Sequence, residues 1–171
     1  MEKPFEDLSG ECAEAIAEVV EAHGEAFDGR RIKGMALCPV DDYLAPYLGV
    51  VFAETTDDPE APAEDLYVQW SPDESGQEIS NGRLDKVTGG TNDLASHWPE
   101  EDWDHFGPQL RDALVEALGS TVVRDALARV GWNPILYLFM TGEGLVDADS
   151  LPTLNPGRRA DPDYRALERL T

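Results

Sequence analysis

His97 and His105 bracket the run His97-Trp98-Pro99-Glu100-Glu101-Asp102-Trp103-Asp104-His105, which gathers two imidazoles and four carboxylates within nine positions. Residues of these types could hold a divalent metal and use it to activate water for hydrolysis. The spacing matches neither His-Glu-x-x-His nor a paired-cysteine zinc pattern. The competing reading is a helix N-terminus whose acids favour the positive end of the dipole.

Nucleophilic chemistry has less to rest on. Ser71, Ser75 and Ser80 lie outside any Gly-x-Ser-x-Gly elbow, and Cys12 has no cationic neighbour in sequence to lower its pKa. Cys12 and Cys38 read as small core hydrophobes, too few for a disulfide framework. There is no Walker loop and no Gly-x-Gly-x-x-Gly, and Gly142-Glu143-Gly144 reads as a turn, so no cofactor and no catalytic residue is expected.

Carboxylates are the more prominent feature. Glu11, Glu14, Glu18, Glu21 and Glu25 recur three and four apart, which places them in one stripe if the segment is helical, and no Lys or Arg lies between Phe5 and Gly24. Asp57, Asp58 and Glu60 form a second cluster in the Pro-broken segment 54–65, read as an exposed loop that a partner would have to order. Four tryptophans complete the set of candidates. Trp103 and Trp132 are expected in the core, whereas Trp70 and Trp98, each followed closely by proline, sit at element ends where an indole can anchor a binding groove, with core burial as the competing reading because an indole carries so much apolar area.

The elements that must position these residues fit one domain spanning 1–171, long enough to bury its own core. The first is an amphipathic helix with Phe5, Leu8, Cys12, Ile16, Val19 and Val20 inward. Segments 32–40 and 47–53 read as a hairpin joined through Asp41-Asp42 and Pro46, and 66–70 as a third strand. Segment 71–99 carries the turn signals Ser75-Gly76 and Gly89-Gly90 and resolves into no element. Helical spacing returns from Pro99 to Gly119. A second helix follows, capped by Ser120 and stopped by Gly131.

The apolar run Ile135–Met140 predicts a strand covered on both faces and central in the sheet. A short helical piece near 150–154, the Asn155-Pro156 break and a last helix capped by Asp161 finish the chain. The expected fold is α+β: a mostly antiparallel sheet of four or more strands, 32–40, 47–53, 66–70 and 135–140, with helices on one face and the other partly open.

Charge then limits the partners. Thirty-five acidic residues against thirteen basic ones leave a formal net charge of -22. Nucleic acid and anionic membrane surfaces both demand clustered Lys and Arg, so both are disfavoured, and a basic protein fits. The N-terminal MEKPFEDLSGE lacks the basic and apolar regions of a leader, no stretch approaches a membrane span, and a cytoplasmic location is expected.

The order of these pieces resembles an uncharacterised bacterial group, domain of unknown function 4303. The resemblance is carried by the N-terminal helix, the strand pair 32–53, Trp70-Ser71-Pro72, the His97-Trp98 to Trp103 approach to a helix, the strand 135–140 and Leu154-Asn155-Pro156. It implies a small cytoplasmic α+β protein without known enzymatic activity, similar in size and style to immunity proteins of bacterial toxin systems. The acidic segment 54–65 departs from that pattern. Three functions therefore stand open: an immunity- or antitoxin-like inhibitor of a basic toxin, a metal-assisted hydrolase using His97 and His105, and an acidic protein adapted to high salt.

Overall fold

Lys3–His23 forms α1, whose buried positions Phe5, Leu8, Cys12, Ile16, Val19 and Val20 repeat at the helical period and give it one continuous apolar face. The computed structural model describes residues 2–27, 29–40, 45–80, 82–140 and 145–171. The turns expected at Asp41-Asp42 and Gly142-Glu143-Gly144 lie outside them. Strands β1 (Ile32–Cys38) and β2 (Tyr47–Phe52) pair antiparallel as the spacing predicts.

The segment read as a third strand is instead α2, Ala63–Trp70. A strand would have buried 66, 68 and 70 together, but Leu66 and Trp70 are buried while Val68 is 49% exposed. Four-residue spacing, with Pro62 ahead and Glu64 and Asp65 in the first turn, was the helical signal that the β-branched and aromatic content masked. The unassigned stretch 71–99 resolves into a short edge strand β3, Gly76–Glu78, and a thirteen-residue helix α3, Asp85–His97. Gly89-Gly90 lies within that helix rather than at a turn.

A 3-10 turn, Glu100–Asp102, leads into α4 (Trp103–Gly119), followed by α5 (Thr121–Val130). Ser120 caps α5, its hydroxyl accepting from Val123 N at 3.3 Å, and Gly131 ends it in the left-handed region at φ 73°. Then come β4 (Ile135–Met140), β5 (Leu145–Val146), α6 (Leu151–Leu154) and α7 (Pro162–Glu168). Asp161 caps α7 through Asp163 N, as its sequence predicts.

The strand order is β3-β2-β1-β4-β5. Three junctions are antiparallel, but β1 and β4 run parallel, so the sheet is mixed. Strand β1, not β4, is central. Helices cover both faces, contrary to the expected half-open sheet. Ile16, Met35, Leu37, Val50 and Leu114 belong to one core, beneath α1, α4 and α5, while Ala36, Leu66, Trp70, Tyr137 and Tyr164 form a second core beneath α2 and α7. The alternation of Met35 and Leu37 with Ala36 and Cys38 divides β1 between the two.

No helix among the described residues is long and apolar enough to cross a membrane.

Candidate functional site

The α1 stripe forms as its spacing requires, with Glu11, Glu14, Glu18 and Glu21 on one exposed face. Glu25 lies in the turn beyond the helix. The stripe is also less bare than its own segment implies, because Arg129 of α5 donates to Glu21. Arg83, in the turn before α3, and Lys86, in its first turn, line a groove of about 430 Å³ together with Glu11, Glu14 and Glu18. Among the described residues Glu14 and Glu18 have no ion pair.

The acidic loop is held by the fold rather than waiting for a partner to order it. Asp57 Oδ2 receives Lys33 Nζ at 2.7 Å and Glu54 N at 2.9 Å, Arg30 pairs with Glu54 at 3.0 Å, and Arg169 donates to Pro59 O at 2.8 Å. Asp58 closes a local turn by accepting from Glu60 N at 2.9 Å. Asp57 is thus an internal counter-ion, while Asp58 and Glu60 remain exposed.

Lys33 is the residue that sequence reasoning missed. It is 2% exposed, and the β1–β2 register shifts between Ile32 and Gly34. That irregularity turns Lys33 to the Trp70 side of the sheet, with Nζ 4.9 Å from the indole ring centroid. A lysine in a strand with an acidic segment some twenty residues on was the available signal. Nothing local says that the two meet.

Trp70 is 1% exposed and offers a partner no surface, which corrects the groove reading. Its ring packs over Gly34, where a Cβ would stand 2.9 Å from Trp70 Cζ3 and 3.0 Å from Tyr137 Cε1. Pro72 likewise lies against Gly49, where a Cβ would stand 2.8 Å from its own Cβ, and Tyr137 OH donates to Trp70 O at 2.7 Å. Trp70-Ser71-Pro72 is therefore a packing motif fitted to two glycines in adjacent strands.

The other tryptophans divide differently from expectation. Trp98 is half-buried, edge-on to Phe5 with ring centroids 5.2 Å apart, and its indole N–H donates to Asp102 O at 3.0 Å. Trp132 also packs partly buried against the larger core. Trp103 was expected in the core but is 46% exposed. Trp98 already occupies the space beside Phe5 and Phe106, so Trp103 stacks outside, 5.0 Å from Phe106 and nearly parallel at 8°.

Each histidine is accounted for locally. His97 Nδ1 lies 2.8 Å from Asp93 O and 3.0 Å from Ser96 Oγ, and His105 is exposed on α4. Among the described residues no group of three His, Cys, Asp or Glu could hold a metal ion. Burial pushes the Cys12 thiol up to about 12, and burial also raises Cys38, so neither has the thiolate character of a nucleophile at neutral pH. Ser80 is buried with its hydroxyl accepting from Leu48 N at 2.7 Å, a structural use.

Known proteins add nothing to this geometry: no family model, no curated protein and no solved structure matches the chain.

Proposed function

We propose that the chain is a non-catalytic acidic binding protein whose partner is a basic protein, in the manner of an immunity- or antitoxin-like inhibitor that presents carboxylates where a basic enzyme expects phosphates. The observation that carries this reading is the α1 row, in which Glu14 and Glu18 stand exposed on the longest helix without an ion pair among the described residues. A row on a regular element loses little conformational entropy on binding, and its like-charge repulsion is relieved by a cationic surface. Seven of the thirteen cations, Lys3, Arg30, Arg31, Lys33, Arg111, Arg129 and Arg158, each hold an intramolecular ion pair. The summed field therefore steers basic proteins inward.

The test replaces Glu14, Glu18, Glu21 and Glu25 with Gln, confirms the fold by circular dichroism, and measures association with the product of the neighbouring gene at two salt concentrations. The expected result is an affinity at least about ten-fold weaker and a shallower salt dependence. Unchanged affinity and salt dependence would remove the α1 row as the interface.

Adaptation to a salty solvent is the second reading, favoured by a chain with only three lysines, Lys3, Lys33 and Lys86, one of them buried. It requires that charge repulsion unfold the protein in dilute buffer. A cooperative thermal transition at low salt counts against it and for the binding protein.

A further inference from the structure

We propose that the end of the molecule where α1, α3 and α4 meet, centred on Trp103, is a docking surface for an arginine-bearing segment of the basic partner. The inference rests on the binding-protein reading and names its contact.

Trp103 is one of three large hydrophobic side chains exposed among the described residues, with Val68 and Val122, and it is much the largest. One face of its ring is occupied by the near-parallel Phe106, and the 46% exposure leaves the ring open to an approaching group. Behind it the stack is fixed: Phe106 meets Trp98 at 5.6 Å and Phe5 at 5.7 Å between centroids, and the Trp98 N–H holds the backbone at Asp102. An aromatic so supported loses little freedom when covered, which is the property of an anchor residue.

Its surroundings state the chemistry of what covers it. Glu100, Glu101 and Asp104 are exposed within three positions of Trp103 along the chain and have no ion pair among the described residues. At the same end, between α1 and α3, an apolar groove of about 400 Å³ is lined by Pro4, Leu8 and Leu94 and carries the carboxylates Glu11 and Asp93, besides Asp7, which Lys3 holds at 2.9 Å. A second copy of this chain is repelled by the net charge of -22. A neutral apolar partner would leave the carboxylates desolvated and unpaired.

A guanidinium satisfies both features at once, stacking its plane on the indole while its edge N–H groups donate to carboxylates. An ammonium can lie over a ring and meet one carboxylate, as Lys33 does with Trp70 and Asp57, but as a point charge it has neither the planar face that stacks nor the fork that holds two carboxylate oxygens at once. The groove beside it accepts the apolar residues that flank such an arginine.

The experiment titrates the intact protein with acetylated tri-arginine amide and with tri-lysine amide of the same charge, by calorimetry at low salt. The parallel variants are Trp103→Ala and Trp103→Phe, neither of which alters the net charge, so the overall field is held constant. Tri-arginine should bind about five-fold tighter than tri-lysine. Trp103→Ala should abolish that preference, while Trp103→Phe, which keeps a stacking face on Phe106, should retain most of it. Circular dichroism and thermal melting establish that both variants fold. Tri-arginine binding to Trp103→Ala as it does to the parent overturns the surface. Equal, purely salt-governed binding of the two peptides overturns it also, while leaving the acidic binding protein intact. Absence of binding by either peptide overturns both.

Discussion

Lys33 Nζ stands 2.7 Å from Asp57 Oδ2 and 4.9 Å from the centre of the Trp70 ring, so the acidic loop supplies the counter-charge of a lysine buried in the central strand. The pair is asymmetric: Lys33 is 2% exposed and the Asp57 side chain 22%. Removing Asp57 strands an ammonium in the sheet, whereas removing Lys33 leaves a carboxylate that water can reach. Asp57→Ala is expected to cost about 3–5 kcal/mol and Lys33→Met distinctly less. Urea denaturation of the two single variants and the double variant checks this. Additive effects in that cycle would show that the charges are not coupled.

Asn155 should be equally sensitive for a different reason. Its side-chain amide accepts from Leu136 N at 2.9 Å and donates to Leu136 O at 2.7 Å and to Leu151 O at 2.9 Å, and it is buried. Among the described residues β5 pairs β4 only at Phe139 and Met140, so one side chain does for Leu136 what a neighbouring strand would do. Asn155→Ala is expected to cost about 2–3 kcal/mol by leaving buried backbone groups unpaired. Asn155→Asp should cost more, since a carboxylate cannot donate and carries a buried charge. Thermal melts of the two variants order them.

Acid should weaken the fold partly through Asp147. Burial alone would raise its pKa, but Arg111, bonded to it at 2.5 and 2.8 Å, together with the backbone N–H groups of Ser150 and Asp149, outweighs that and holds the carboxyl below its ordinary value. A group depressed in the folded state stabilises fully above its unfolded value, about pH 4, and loses that contribution as pH falls through the lower folded value. Asp147→Asn should therefore destabilise at neutral pH, by about 2 kcal/mol, and show a shallower decline below pH 4 than the parent. Parallel acid-denaturation curves would contradict this.

Helix α3 offers a gain of stability. Gly89 is helical and exposed, and a Cβ there meets nothing within 4 Å, so Gly89→Ala should stabilise by about 0.5–1 kcal/mol. At Gly90 the same Cβ would stand 3.2 Å from Leu8 Cδ1, and the substitution should gain less or nothing. Chemical denaturation of both variants decides the order. Hydrogen exchange in α3 should slow in the first.

Helices α1, α4, α5 and α7 were legible because each meets its cores through one face and carries local stop signals, such as Ser120 and Gly131 around α5. Periodicity and capping act within a few residues, so the chain alone determines them. The sum of charges is likewise independent of the fold. The α+β class and the strands 32–38, 47–52 and 135–140 followed from the same local patterns.

Tertiary structure alone decided which residues meet. Leu66 and Trp70 fit a strand or a helix by type, and only the room over Gly34 and Gly49 seats the α2 end and Pro72 there. Sheet order and the parallel β1–β4 pair join segments about a hundred residues apart, beyond any local pattern. The candidate surfaces divide on the same ground. Glu14 and Glu18 were readable from spacing, but Asp57 was claimed by Lys33, Trp70 by the core, and Trp103 was displaced outward because Trp98 fills the space beside Phe5. A side chain's type states what chemistry it can do; whether its face remains open depends on competition for volume among residues distant in the chain, and that is settled only when the cores close.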